Sequence, residues 1–205
     1  MPFKTIDLTV DPDADNLLIK FKSFIKEHCS QDPLYNNYAN LDLTDFICLT
    51  AVINNNHIVA LSGVQSKPDR WGTNTVRIST RFWMHPDYRI NGLSKYDPGQ
   101  RFYFNSQLMI PYQLNYLKTL GIKFAIITRE GNYRRSFTKF IELVNYHNAT
   151  NFTVLNGIFN VCNHMTLIPE SCQQMIAVHA FDNTSFDTEL TNLNKENKLN
   201  LIVNF

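Results

Sequence analysis

Two histidines of this chain are placed where they could move protons: His85, directly before Pro86, and His147, beside Tyr146. An imidazole titrates nearest to neutral pH of all side chains, so either can act as a base there. Arg129 and Glu130 close a short apolar run at 123–128. From the end of such a strand Glu130 can reach a substrate through water. Arg77 and Arg81 fall four apart in a β-branched run, so alternation puts both on one side of a strand, where they pair with carboxylates or bind an acidic substrate. Arg134, Arg135 and Lys139 make a small basic patch. Gly92 and Ser94 follow the abrupt stop His85-Pro86-Asp87. A Gly-x-Ser by itself is a weak phosphate signal and reads equally as a polar loop; it gains meaning only when a strand precedes it and a helix follows.

The elements that must position these residues can be read from periodicity. Residues 3–10 alternate apolar and polar and stop at Asp11-Pro12-Asp13, which predicts a strand and a turn. A helix is expected over 15–28, capped by Asp13 or Asp15, with Leu17, Leu18, Phe21, Phe24 and Ile25 on its apolar face. The polar stretch 31–42 suits a loop or a short helix. Two apolar runs, 46–53 and 57–65, joined by Asn54-Asn55-Asn56, predict an antiparallel hairpin, because Asn tolerates positive φ.

A long strand is expected over 75–84, then a helix over 102–120 that Gly121 closes and in which Pro111 makes a kink or marks a new start. The run 123–128 reads as a strand buried on both faces, and 132–146 as a second amphipathic helix. Strands at 152–162 and 174–181 follow. The tail 182–200 is polar, ending in Leu201-Ile202-Val203, which could dock as a small strand.

Bulk properties narrow the function classes. The 205 residues are 44% hydrophobic, 18% charged and 13% aromatic, with a net charge of +1. That composition suits one globular domain, and the balanced charge gives no pull toward nucleic acid. No apolar run is long enough to span a membrane and no secretion signal opens the chain, so a cytoplasmic protein is expected. The four cysteines, Cys29, Cys48, Cys162 and Cys172, contain no C-x-x-C pair. Neither a zinc knuckle nor a redox dithiol is written here, and reduced structural thiols are expected.

The order strand, helix, hairpin, long strand, turn, helix, buried strand, helix, two strands resembles the GNAT acyltransferase superfamily over about residues 3–181. Phe82-Trp83-Met84-His85-Pro86-Asp87-Tyr88-Arg89 is similar to the end of that family's fourth strand, apolar-x-Val-x-Pro-x-Tyr-Arg. Arg89-Ile90-Asn91-Gly92-Leu93-Ser94 resembles its pyrophosphate loop, Arg/Gln-x-x-Gly-x-Gly/Ala, with Ser94 replacing the last small residue. The segment 95–101 then intervenes before the helical pattern. Either Ile90 to Ser94 keep the anion nest, or Gly99-Gln100-Arg101 completes it.

The resemblance implies an α/β fold: a mixed sheet of about seven strands flanked by helices, with strands 4 and 5 splayed at their C-terminal ends. It implies a transferase domain over 1–181 and a polar tail over 182–205. It implies acetyl-CoA as cosubstrate, held by Trp83, Met84, Arg89, Ile90, Asn91, Gly92, Leu93 and Ser94, with the pantetheine arm along the fourth strand and Arg134, Arg135 and Lys139 near the 3′-phosphate.

An amine acceptor would attack the thioester directly, with no metal. Many family members protonate the departing thiolate from a Tyr in Asn-x-x-Ala-x-x-x-Tyr. Asn132 matches the opening Asn, but Lys139 and Phe140 occupy the region of the Tyr. This leaves Tyr133, Tyr146, His85 and Glu130 as catalytic candidates. Two other readings stand beside this one. One is a catalytically silent GNAT-like binding domain. The other is an enzyme like the acyl-homoserine-lactone synthases, whose Ser-Arg-Phe word Ser79-Thr80-Arg81-Phe82 resembles.

Overall fold

A computed structural model describes residues 3–32, 35–65, 75–89, 103–130, 134–154, 158–161, 172–182 and 201–204. Contacts divide the chain into two units: Met1–Gln65 with Ser79–Gln113, and Ser66–Ile78 with Leu114–Phe205.

In the first unit, strand β1 (Lys4–Asp7) is followed by helices α1 (Ala14–His28) and α2 (Tyr35–Ala39) and strands β2 (Cys48–Asn54) and β3 (His57–Gln65). Strand β4 (Thr75–Met84) lies next to β3. β1 and β2 pair antiparallel from Lys4↔Ile53 to Asp7↔Thr50, and β2 and β3 from Cys48↔Val64 to Asn54↔His57. β1 is shorter than its alternation predicts because Asp7 turns the chain. Its buried carboxylate accepts the Thr9 N–H at 3.0 Å, the Thr9 hydroxyl at 2.8 Å and the Leu49 N–H at 3.1 Å. Asp13 sits at the N-cap of α1, but neither it nor Asp15 caps with its side chain. Instead, Asp11 accepts the Asp13 N–H at 2.9 Å, closing the turn one step earlier.

The β2–β3 turn has φ of 49° at Asn55 and 61° at Asn56, the left-handed pair that a two-residue hairpin needs. Alternation then sorts the sheet's faces. Leu49, Ala51, Leu61 and Trp83 pack with Leu17, Leu18, Phe21 and Ile25 of α1. On the other face Val52, Ala60 and Met84 meet Phe104 and Met109. The latter two belong to a π-helical turn, Tyr103–Met109, that leads into α3 (Ile110–Thr119). Pro111 has no N–H for the carbonyl four residues back, and this wider turn is how the chain accommodates the expected kink. One buried polar knot sits on this face. The Gln113 amide donates to Thr50 Oγ1 and to the Ser62 carbonyl, which also receives the Thr50 hydroxyl at 2.7 Å.

In the second unit α3 ends at Gly121, whose φ of 68° permits the reversal. The Ile122 N–H reaches back to the Leu117 carbonyl at 3.3 Å and that of Gly121 to Lys118 at 3.2 Å. Strand β5 (Phe124–Glu130), helix α4 (Arg134–Asn148) and strands β6 (Thr153–Val154), β7 (Ile158–Val161), β8 (Cys172–Ala180) and β9 (Leu201–Asn204) follow. Phe124, Ala125, Ile126 and Ile127 are all buried, as a strand covered on both faces requires. The strand expected over 152–162 is two, β6 and β7, each paired with β8. The end of the tail docks as β9 against β7.

β5 pairs antiparallel with β8 along its whole length, from Phe124↔Ala180 to Glu130↔Gln174. With β4 it pairs in parallel over four residue pairs, Thr75↔Phe124 to Ile78↔Ile127. No helix among the described residues is long and apolar enough to cross a membrane.

The hairpin gives a direct test of the backbone reading. Asn56→Val should cost about 1–2 kcal/mol, because a β-branched residue resists the left-handed region, whereas Asn56→Gly should hold or raise stability. Urea denaturation of the two variants measures this; equal stabilities would contradict the turn.

Candidate functional site

The sequence word that prompted the functional reading, 82–89, lies at the end of β4. Trp83 and His85 point to the α1 face. The Trp83 ring is wholly buried, with ring centroids of Phe21 at 4.9 Å, His85 at 6.0 Å, Phe24 at 6.3 Å and Tyr38 at 6.5 Å. The strand ends in a 3₁₀ turn, Pro86–Tyr88, which folds Arg89 back: its N–H donates to the Pro86 carbonyl at 2.9 Å.

The hydrogen-bonding edge of β4 is governed by the same alternation. The His85 N–H donates to the Val59 carbonyl of β3 at 2.8 Å, so in a regular strand the main-chain groups of Phe82 and Met84 face the opposite edge. The carbonyls of Phe82 and Met84 are taken by side chains of the same unit. The Tyr38 hydroxyl donates to Phe82 O at 2.7 Å, and Arg89 Nε donates to Met84 O at 2.6 Å.

The Arg89 charge is balanced by Asp32, with Nη1 2.8 Å from Oδ2 and side-chain exposures of 1% and 7%. Its guanidinium carbon also lies 5.7 Å from the Trp83 ring centroid. A charged pair this buried survives only with a partner of opposite sign and further hydrogen bonds, both of which are present. Neither Asp32 nor Tyr38 was legible in advance. Both lie in the polar stretch 31–42, where no periodic pattern singles them out, and their partners are more than forty residues away.

No protein-family model matches the sequence, and a comparison with curated proteins finds no match. Among solved structures the chain is similar to a protein of Staphylococcus epidermidis described as a "probable acetyltransferase". Identity is 14%, coverage 88% of this chain and all of the other, and the TM-score 0.52. It is also similar, at a TM-score of 0.46, to a GNAT-family acetyltransferase of Staphylococcus aureus, with 14% identity over 88% of this chain and 100% of that one. A CoA-dependent acyl-homoserine lactone synthase matches at 13% identity and a TM-score of 0.46, covering 98% of this chain and 92% of that one. The first of these likenesses shows a shared fold, a mixed α/β sheet flanked by helices.

On this frame the expected site residues fall into three groups. Ile90, Asn91, Gly92, Leu93, Ser94 and Tyr133 lie outside the described residues, as do the side chains of Arg77, Arg81, Arg129, Glu130 and Arg134. Glu130 ends β5, opposite Gln174 of β8. Trp83, Met84 and Arg89 are described and buried. Their side chains belong to the core and to the Asp32 tie, so main chain is what they can present to a ligand. Tyr146 and His147 stand exposed in the last turn of α4, the Tyr146 ring 82% accessible and edge-on to His147 at 5.1 Å. An exposed ring of this kind does not seal α4 against the sheet as a buried Tyr would.

His85 is half-buried and stacked on Phe24 at 4.5 Å. Its Nδ1 accepts the Asp87 N–H at 3.2 Å, so the neutral ring carries its proton on Nε2 and offers a donor rather than a base. Burial holds its pKa below the usual histidine range, Asp87 opposing and Arg89, His57 and His28 reinforcing that shift. The Cys29 thiol beside the ion pair is pushed up by burial, with Arg89 drawing it down and Asp32 up.

Two outcomes follow. Asp32→Ala should cost about 3–5 kcal/mol in chemical denaturation by stranding the Arg89 charge, while the pair Asp32→Leu with Arg89→Met should recover most of that loss. Equal losses in both would show that the ion pair is not the tie. For His85, the folded pKa lies below the unfolded one, so the folded state binds fewer protons. Its contribution is constant above the ordinary histidine pKa of about 6.5 and falls as pH drops below it. His85→Gln should therefore lose less stability than the parent protein between about pH 7.5 and pH 5 in urea melts; parallel losses would exclude His85 as a source of the slope.

Proposed function

We propose that this chain is an acyl-CoA-dependent N-acyltransferase that moves an acetyl or similar acyl group to a primary amine by direct attack. The observation that carries the reading is the end of β4, where the word at 82–89 closes the strand in a 3₁₀ turn at Pro86–Tyr88, on a fold shared with a probable acetyltransferase. The resemblance to the GNAT acyltransferases supports the same assignment, with residues 1–181 as the transferase domain and 182–205 as its tail.

The chemistry required is modest. A neutral amine attacks the thioester carbon, main-chain N–H groups stabilise the developing oxyanion, and the departing thiolate takes a proton. The loop from Ile90 to Ser94 is proposed for the diphosphate; Arg89, expected to join it, has its N–H on the Pro86 carbonyl and its guanidinium on Asp32 and Met84 O. Glu130 or Tyr133 is proposed for the proton transfers; His85 enters as a donor through Nε2, and Tyr146 fits least, being open to solvent. The end of β4 suits the arm with one restriction: the carbonyls of Phe82 and Met84 are already engaged by Tyr38 and Arg89.

The same restriction favours a second reading, a GNAT-fold domain that binds a protein or small ligand without turnover. Titration with CoA separates these from a protein that binds neither donor nor product. At a hundred times its Kd, CoA should add about 2.7 kcal/mol of stability, read as a rise in melting temperature. Thiol release from acetyl-CoA with a panel of amines then distinguishes the transferase from the silent domain. No thermal shift at millimolar CoA would remove the acyl-CoA assignment.

A further inference from the structure

We propose that the turn Pro86–Tyr88 is an acid-operated latch, in which His85 exchanges the Asp87 N–H for the Asp87 carboxylate when its ring takes up a proton. Only groups of the first unit take part and no ligand is needed, so the latch stands or falls apart from the acyl-CoA reading. One ring nitrogen makes both contacts. His85 Nδ1 accepts the Asp87 N–H at 3.2 Å and lies 3.6 Å from Asp87 Oδ2. The neutral ring has a lone pair at Nδ1 and serves the first. The imidazolium carries a proton on both nitrogens, so it can serve only the second. The side-chain acceptor that caps the start of the turn is then lost. Two main-chain bonds remain, Tyr88 N–H to the His85 carbonyl at 3.0 Å and Arg89 N–H to that of Pro86 at 2.9 Å, and a turn of three residues has no longer ladder to share the loss. Opening loosens the chain at Asp87 while Arg89, tied to Asp32 and to Met84 O, stays in place.

The ring's other neighbours decide when the exchange happens. From α1, Phe24 stacks on it at 4.5 Å, and His28, paired with Glu27 at 3.7 Å, lies 4.9 Å from the Phe24 ring. The Trp83 and Tyr88 rings stand edge-on at 6.0 Å and 6.2 Å. Burial is the largest influence and disfavours the imidazolium. Of the charges that reach it, Asp87 favours that form, whereas Arg89, His57 at the start of β3 and His28 oppose it. Arg89 is itself balanced by Asp32. The capped state is therefore the resting one at neutral pH, and the latch opens below the ordinary histidine pKa of about 6.5.

The test follows the His85 ring and the Asp87 amide of the whole protein by NMR from about pH 8 to about pH 4. Both should titrate with one midpoint, and protection of the Asp87 amide against hydrogen exchange should fall about threefold to tenfold across it. His85→Asn offers a side-chain oxygen in place of Nδ1, a cap that does not titrate, and should keep that amide protected through the same range. Because this variant also gives up the ring stacked on Phe24, Asp87→Asn serves as the second control. It keeps the main-chain N–H and removes the carboxylate, so the His85 midpoint should move to lower pH. The latch is excluded if His85 stays neutral down to about pH 4, or if the Asp87 amide does not follow the ring or tracks His28 or His57 instead. A midpoint that stays or rises in Asp87→Asn rules out the exchange of partners, and protection lost equally in His85→Asn rules out the cap.

Discussion

Main-chain carbonyls at the end of β4 are satisfied by side chains, and their surroundings are organised by that constraint. Beyond Ile78 the carbonyls of Phe82 and Met84 find a phenol and a guanidinium. Each of those donors brings a consequence with it. Arg89 needs a counter-charge, which puts Asp32 in the core and pins the chain between α1 and α2 to the strand's end. Tyr38 must lie close over the strand, and its ring completes the aromatic wall around Trp83. Core, connection and strand edge are thus set by two hydrogen bonds that no local sequence rule describes.

Much of the fold could nonetheless be read in advance, wherever a feature depends on near neighbours. Asn55 and Asn56 take the left-handed conformation that their side chains tolerate, Gly121 ends its helix, and the apolar run 124–127 is buried throughout. Reading failed where distant groups decide. β1 stops at Asp7 because that carboxylate reaches Leu49 as well as Thr9. The site was legible as a place, the end of β4, but not as a set of side chains. Trp83, Met84 and Arg89 carry the resemblance, yet alternation and the ion pair turn all three inward. Asp32 and Tyr38, which act on the strand's edge, lie in a polar stretch with no periodicity to mark them.

Structural likeness at 14% identity establishes the fold and goes no further. One fold hosts many chemistries, so function has to be argued from what lines the strand. Here the lining departs from an open edge in a definite way, with one cap held by charge and one by a neutral hydroxyl.

The titration state of the nearby groups also separates two routes by which a transferase on this frame could work. A covalent route needs a nucleophile poised as its anion, and thiols are the usual choice because a lowered pKa exposes the thiolate. Cys29 and Cys48 are both free and buried, and burial drives both pKa values upward, Asp7 adding to the effect at Cys48. At neutral pH each is a thiol inside a core, inert toward a thioester. His85 cannot activate a nucleophile either while its Nδ1 lone pair is engaged by the Asp87 N–H and its proton sits on Nε2. A ring of that tautomer donates. Among these three groups nothing is poised as a nucleophile.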